Sequence, residues 1–204
     1  MTMFADEVTK KNGRIVAAET YEPGQTDFTD CIKKLDDPVF NVQSAQEQKT
    51  IIFIPDSARK AEIIIPQIAY YNIENIYFFG TNLWHSNELI KTAGQFVQGA
   101  VIAEGFFEES VSPKLIEFIA EFKKTYNETP GFIEAVAYDT ACLLLQVLAV
   151  PEVKLRSDIK DALLTMNPFE GVTGLTSFDS NGEALKTLFL LRIQGDKFVE
   201  IDQN

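Results

Sequence analysis

The sequence predicts an α/β protein with a parallel sheet in its first half and a mostly helical segment after it. Two observations carry that prediction. Short β-rich runs are each followed by a segment whose apolar residues recur at helical spacing, and such a βαβαβ series is met most economically by parallel strands with right-handed crossovers. The run "TIIFIPD" (residues 50–56) is almost continuously apolar, as a parallel strand covered on both faces requires. Size permits this: at 204 residues and 46% hydrophobic, the chain can bury a real core in one large domain or two small ones.

In order along the chain, "RIVAAETY" (14–21) reads as a strand. "TDFTDCIKKL" then opens with a capping Thr26 or Asp27 and puts Phe28, Cys31, Ile32 and Leu35 on one helical face. After the loop-like stretch "LDDPVFNVQSAQEQK" and the strand at 50–56, "SARKAEIIIPQIAYYNI" is a helix opened by Ser57, with a kink expected at Pro66 because its ring removes a backbone donor. "IYFFG" is a third strand, "SNELIKTAGQF" a helix and "GAVIAEGFF" a fourth strand. From Ser112 the character changes. "SPKLIEFIAEFKKTYNETP" is amphipathic, with Pro113 suited to the first turn, and "GFIEAVAYDTACLLLQVLAV" is so apolar that burial on most sides is expected. "RSDIKDALLTM" is a further helix starting at Ser157 or Asp158, and the rest reads as strands with turns at "SNGE" and "QGDK". The helices between 112 and 166 lack strands to cover, so they would expose an apolar patch or seek another chain.

Charge and composition exclude several functions. With 18 Lys plus Arg against 30 Asp plus Glu, a net charge of -12 repels phosphate backbones, so nucleic acid is not an expected partner. Cys31 and Cys142 share no close spacing with each other or with His85, so no zinc site, redox pair or other cofactor is expected. No run is long enough to span a bilayer, and "MTMFADEVTKKNG" lacks the apolar centre of a signal peptide.

The ordered motifs "GRIVAAETYEPGQTDFTDCIKKL", "IIFIPDSA", "FFGTNLW", "EAVAYDTACLLLQVL" and "FEGVTGLTSFDSNGE" with "LLRIQGDKFVEI" resemble the type I periplasmic solute-binding proteins of the leucine/isoleucine/valine-binding family. "IPDSARKAEIIIPQIAYYNIENIYFFGTNLWHS" is most similar to the penicillin-binding protein activator branch. The resemblance implies a two-lobed receptor whose chain crosses between lobes three times and holds its ligand between them. Residues 1–106 and 188–204 would be the second, α/β lobe, and 107–187 a partial, mostly helical first lobe. The family's opening 120 or so residues have no counterpart, so the resemblance implies an incomplete first lobe and a truncated chain, which accounts for the uncovered helices.

Ligands of open α/β sheets meet loops at the carboxyl ends of the strands. Asp56 and Ser57 could face such a site, or could simply cap the next helix. Where the family resemblance puts a carboxylate for the ligand ammonium, this chain has Asn82, and an amide cannot neutralise an ammonium. Trp84 could wall a ligand or partner surface, or pack a core or hinge. His85 is read as structural, and Ser86 as a helix cap with Glu88 in the first turn. The resemblance places Phe132, Glu134 and Tyr138 near the cleft. Tyr138 and Asp139 could instead satisfy each other or the hinge backbone.

The functional expectation is a non-enzymatic, extracytoplasmic solute-binding protein taking a small polar or amino-acid-like ligand for an ABC-type transporter. The alternative is a penicillin-binding protein activator-like regulator of peptidoglycan synthesis, acting by protein-protein contact. In either case the expected partners are a small molecule or a membrane transporter or synthase, with self-association through the incomplete lobe. The expected location, by resemblance, is the periplasm, free or lipoprotein-anchored.

Overall fold

The computed structural model describes residues 2–40, 50–71 and 76–201. The chain divides into two compact units, Met1–Val101 with Ile193–Lys197, and Ile102–Arg192 with Phe198–Asn204.

In the first unit, helix α1 (Thr2–Lys10) lays Phe4 on Phe53, their rings stacked at 4.3 Å. The sequence pattern predicts no element there. Residues 13–22, which include the expected strand "RIVAAETY", have no regular secondary structure. Their contacts supply the reason. Glu19 pairs with Lys34 at 3.2 Å and the Tyr21 hydroxyl donates to Asp56 at 2.8 Å. Side-chain docking thus holds the segment where its β-branched residues favour a ladder, and Ile15 and Val16 stay exposed.

Helix α2 (Thr29–Phe40) begins where the Asp27 carboxylate accepts from Thr29 N at 2.9 Å, and it buries Phe28 and Ile32 beside it. It covers the first six residues of the stretch read as loop; residues 41–49 of that stretch lie outside the described residues. Strands β1 (Thr50–Phe53) and β2 (Ile76–Gly80) pair in parallel, Thr50 opposite Ile76 through Phe53 opposite Phe79. Between them α3 (Ala58–Tyr70) runs on through Pro66 and buries Ala61, Ile64, Ile65 and Ile68, a stripe at i, i+3, i+4 and i+7. The expected extension of this helix to Asn72 and Ile73 lies outside the described residues. A 3-10 turn (Asn82–Trp84), α4 (Asn87–Ala93), a second 3-10 turn (Gly94–Val97) and β3 (Val101–Glu104) follow.

The second unit holds α5 (Pro113–Tyr126), α6 (Phe132–Leu148) and α7 (Arg156–Thr165). Helix α5 ends at Asn127, whose left-handed backbone (φ 57°) lets its N–H close on Lys123 O at 2.9 Å. Helix α7 starts at Arg156, one residue before the earliest expected start, because the Asp158 carboxylate reaches back to the N–H groups of Lys154 and Leu155 at 3.0 and 2.8 Å. Strands β4 (Phe169–Gly171), β5 (Gly174–Phe178) and β6 (Ala184–Lys186) form an antiparallel sheet, joined at "SNGE" by a turn in which Asp179 accepts from Asn181 N and Glu183 N. With β7 (Phe189–Gln194) and β8 (Lys197–Glu200), the other sheet has the order β1-β2-β3-β7-β8. The boundaries of the two units fall inside β3, β7 and β8.

The second unit's core is Phe106, Leu115, Phe118, Ala135 and Val172, with Ile119, Phe122 and Phe189 against it. Helix α6 departs from expectation. Only the stripe Ala135, Asp139, Leu143 and Val147 is buried, while Ile133, Leu145 and Leu148 are 78%, 66% and 54% exposed. Composition predicts burial on most sides; among the described residues no layer covers the rest of the helix, and an open apolar face remains, as the shortage of strands leads one to expect.

Candidate functional site

The carboxyl end of β1 carries a loop tied by several hydrogen bonds. There the chain turns into α3, and Ser57 caps the helix by accepting from Lys60 N at 3.4 Å. The Asp56 carboxylate accepts from Ser57 N at 2.6 Å and from the Tyr21 hydroxyl at 2.8 Å. Burial pushes its pKa up, but these hydrogen bonds, together with the nearby Lys60 charge, outweigh burial and leave it below the ordinary carboxylate value. Tyr21 shows the reciprocal effect: burial, then its bond to Asp56 and the charge there, push the phenol up to about 12. Lys60 donates to Gln25 O at 2.6 Å, with its ammonium 5.7 Å and 5.5 Å from the ring centroids of Tyr21 and Phe28.

Trp84 supports this loop from beneath. Its indole is wholly buried, and Nε1–H donates to the Asp56 carbonyl at 3.1 Å. The ring fits because Gly80 has no side chain: a Cβ there would stand 2.2 Å from the indole. The turn bearing Asn82 is closed by Thr81, whose hydroxyl accepts from Leu83 N at 3.3 Å and whose carbonyl accepts from Trp84 N at 2.9 Å. Asn82 itself is exposed, and its carbonyl accepts from His85 N at 3.0 Å. The structure therefore brings Asp56, Ser57 and Trp84 together, with the indole as packing and Asn82 on the surface of the same turn.

The residues singled out on α6 go separate ways. Glu134 folds back to accept from Gly131 N at 2.9 Å, which is N-terminal capping. Phe132 is half exposed and lies over Gly105, where a Cβ would meet its ring at 2.6 Å. Tyr138 turns to Phe118, ring centroids 4.7 Å apart, and its pKa is raised first by a hydrogen bond to Cys142. Asp139 is satisfied elsewhere, accepting from Val172 N and Thr173 N at 2.8 Å each and from the Thr173 hydroxyl at 2.5 Å. Lys186 completes this network by donating to the Thr173 and Thr176 hydroxyls at 2.6 and 2.9 Å. Sequence reasoning missed Tyr21, Lys60 and Lys186. Tyr21 falls inside a run with strand character, and Lys60 has the placing of an ordinary first-turn lysine; nothing in one sequence links Lys186 to Asp139.

Among the described residues no group of three or more His, Cys, Asp or Glu could hold a metal ion, and no helix is long and apolar enough to cross a membrane. What the first unit offers is hydrogen-bonding groups around a helix N-terminus, with one carboxylate, one exposed amide and one lysine.

The titration of this loop can be checked directly. Because the Tyr21 pKa is raised in the folded state, the stability it contributes is present below pH about 10, the unperturbed value, and is lost as pH rises toward about 12. Asp56, depressed when folded, contributes above pH about 3.9 and is lost as pH falls through its lowered value. Spectrophotometric titration of Tyr21→Phe should lack the latest-ionising phenol; an unchanged curve would contradict the assignment.

A family model for periplasmic binding proteins matches residues 1–197, and the chain belongs to that family. A protein of Rhodospirillum rubrum assigned to branched-chain amino acid ABC transport is similar over 98% of this chain and 56% of its own, at 25% identity and a TM-score of 0.82. The branched-chain amino acid transporter substrate binding protein LivJ from Streptococcus pneumoniae, solved in complex with isoleucine, is similar over 96% and 56%, at 26% identity and a TM-score of 0.58. The leucine binding protein LivK from Thermotoga maritima shares the fold over 98% and 55%, at 19% identity and a TM-score of 0.68. The chain thus spans about half the length of the solved relatives it matches. A search of the curated proteins finds no match.

Proposed function

We propose that this chain is part of a non-enzymatic solute-binding protein that takes a small polar or amino-acid-like ligand and delivers it to an ABC-type transporter. The supporting observation is the family match across residues 1–197, joined by the likeness to a protein assigned to branched-chain amino acid transport. Asp56, Ser57 and Asn82 are the proposed ligand-facing groups of the first unit and Phe132 that of the second. Trp84 and Glu134 act by holding those loops. Residues 1–106 with 188–204, and 107–187, are proposed as parts of two lobes, of a protein located in the periplasm or anchored there by lipid. Isothermal titration calorimetry of the full chain against leucine, isoleucine, valine and the polar amino acids tests the reading. Saturable heat for at least one of them is expected, and silence across the panel would sink it.

A second reading is favoured by one residue. Asn82 stands where the family resemblance puts the carboxylate for a ligand ammonium, and a regulator that works by contact with a peptidoglycan synthase needs no charge there. Asn82→Asp separates the two: if the turn is a ligand site, a charge-assisted bond to the ammonium should tighten amino-acid binding about tenfold. No change in any amino acid titration, with capture of a synthase by the unaltered chain, would favour the regulator.

The open face of α6 supports self-association. Sedimentation should show a concentration-dependent dimer or larger species. A monomer at all concentrations that binds no apolar dye would contradict this.

A further inference from the structure

Helix α5 arranges two kinds of side chain along its length. Phe118, Phe122 and Tyr126 recur every fourth residue, and Glu117 and Glu121 run beside them at the same interval. The rings form a ladder. Tyr138 of α6 stands 4.7 Å from Phe118, Phe118 5.9 Å from Phe122, and Phe122 4.5 Å from Tyr126, centroid to centroid. These rings border a groove of about 550 Å³ within the second unit, into which Glu117, Glu121 and Glu170 also open. The volume is that of a small-molecule site. Tyr126 and Tyr138 remain 63% and 47% exposed, so the groove presents aromatic surface to solvent.

The charges around it are unbalanced. Among the described residues Lys114 is the only cation of the lining, and it is taken by Glu170 at 2.9 Å. Glu121 holds Lys124 at the edge, at 3.5 Å, and Glu117 has no ion-pair partner among the described residues. Asp139 also reaches the lining, but its oxygens are committed to Val172 and Thr173. Aromatic faces carry the negative side of the ring quadrupole, so rings and carboxylates favour the same ligand. An anion would meet both unfavourably, and a neutral apolar molecule would leave the carboxylates unanswered.

We propose that the groove between α5, α6 and β4 binds a small organic cation, an ammonium or guanidinium carried on an apolar or aromatic body. The body lies along Phe122, Tyr126 and Tyr138, over the buried Phe118, and the charge sits between Glu117 and Glu121. This site uses none of the first-unit residues proposed to face a transported solute; Tyr138, which the family resemblance puts near the cleft, is here a wall of the groove, and a variant of the Asn82 turn tells the two sites apart.

The test is calorimetric titration of the full chain with 2-phenylethylammonium, with 2-phenylethanol as the neutral analogue and phenylacetate as the anion. The ammonium should bind saturably at one site per chain, with the other two at least about tenfold weaker. The double variant Glu117→Gln/Glu121→Gln changes exposed positions and should melt like the parent, yet lose about tenfold in ammonium affinity while leaving 2-phenylethanol unchanged. Equal binding of ammonium and alcohol would overturn the proposal by showing a merely apolar groove. So would undiminished ammonium binding in the double variant, absence of saturable binding, or capture of a Lys/Arg-rich peptide where the small cation fails. Loss of ammonium binding in a variant of the Asn82 turn would place it at the other site and overturn the proposal too.

Discussion

Replacing Asp139 by Ala should lower the unfolding free energy by about 3–5 kcal/mol, among the largest effects available to a single substitution outside the apolar core. The carboxylate is 5% exposed and accepts three hydrogen bonds, two from backbone N–H groups of the β4–β5 turn. Removing it leaves Val172 N and Thr173 N buried without an acceptor, which costs more than the bonds themselves contribute. It also removes the charge of Asp139 from beside Lys186, whose pKa is lowered by burial and raised back in part by Asp139. Gly171 shows how closely the turn is fitted, since a Cβ there would lie 2.4 Å from the carboxylate. Asp139→Asn keeps one acceptor and should cost about half as much. Urea denaturation gives the energies, and hydrogen exchange gives the location. The amides of Val172 and Thr173 should lose protection first in Asp139→Ala. A cost under about 1 kcal/mol would show that water replaces the carboxylate and that the network is not structural.

How much of this was legible in the sequence depends on whether an element's outcome is local. Ser57 and Ser86 cap the helices they were expected to cap, because a cap is decided by a hydroxyl and an N–H two or three residues away. Strands β1 and β2 were legible because an apolar run of β-formers between turn signals leaves few alternatives. "RIVAAETY" has the same local character and still forms no ladder, since Tyr21 and Glu19 are claimed by Asp56 and Lys34, residues 35 and 15 positions away. Helix α6 misled in another way: composition reports how apolar a helix is, while burial depends on what lies beside it. The face that is covered carries Ala135, Asp139, Leu143 and Val147, a stripe that composition alone does not single out. For the candidate site, adjacency of Asp56 and Ser57 was visible. The tie from Trp84 across 28 positions to the Asp56 carbonyl was not. At Tyr138 and Asp139 the sequence allows either mutual satisfaction or backbone bonding, and Asp139 takes the backbone of residues 172 and 173.

Trp84→Ala is expected to cost a further large amount, about 3–5 kcal/mol, because it empties a fully buried indole site whose walls can close only in part. The consequence should extend to the proposed ligand loop. The backbone N–H of residue 84 still closes the 3-10 turn on Thr81 O in any such variant, whereas the indole N–H that holds the β1–α3 loop at Asp56 O is lost. Trp84→Phe separates the two contributions. It keeps most of the packing and loses only the indole donor, so its stability loss should be about 1–2 kcal/mol, with the Asp56 loop loosened and the turn retained. Gly80→Ala attacks the same contact from the strand side, since its new methyl and the indole cannot both occupy the space present. As Trp84 is the only tryptophan, the measurement is thermal unfolding by circular dichroism, joined to amino acid titration of Trp84→Phe. If Asp56 must be held in place to meet a ligand, Trp84→Phe should weaken binding by more than its stability loss explains. Unchanged affinity in a folded Trp84→Phe would mean that Asp56 serves Ser57 N and Tyr21 alone, and that ligand contact in the first unit rests with Ser57 and Asn82.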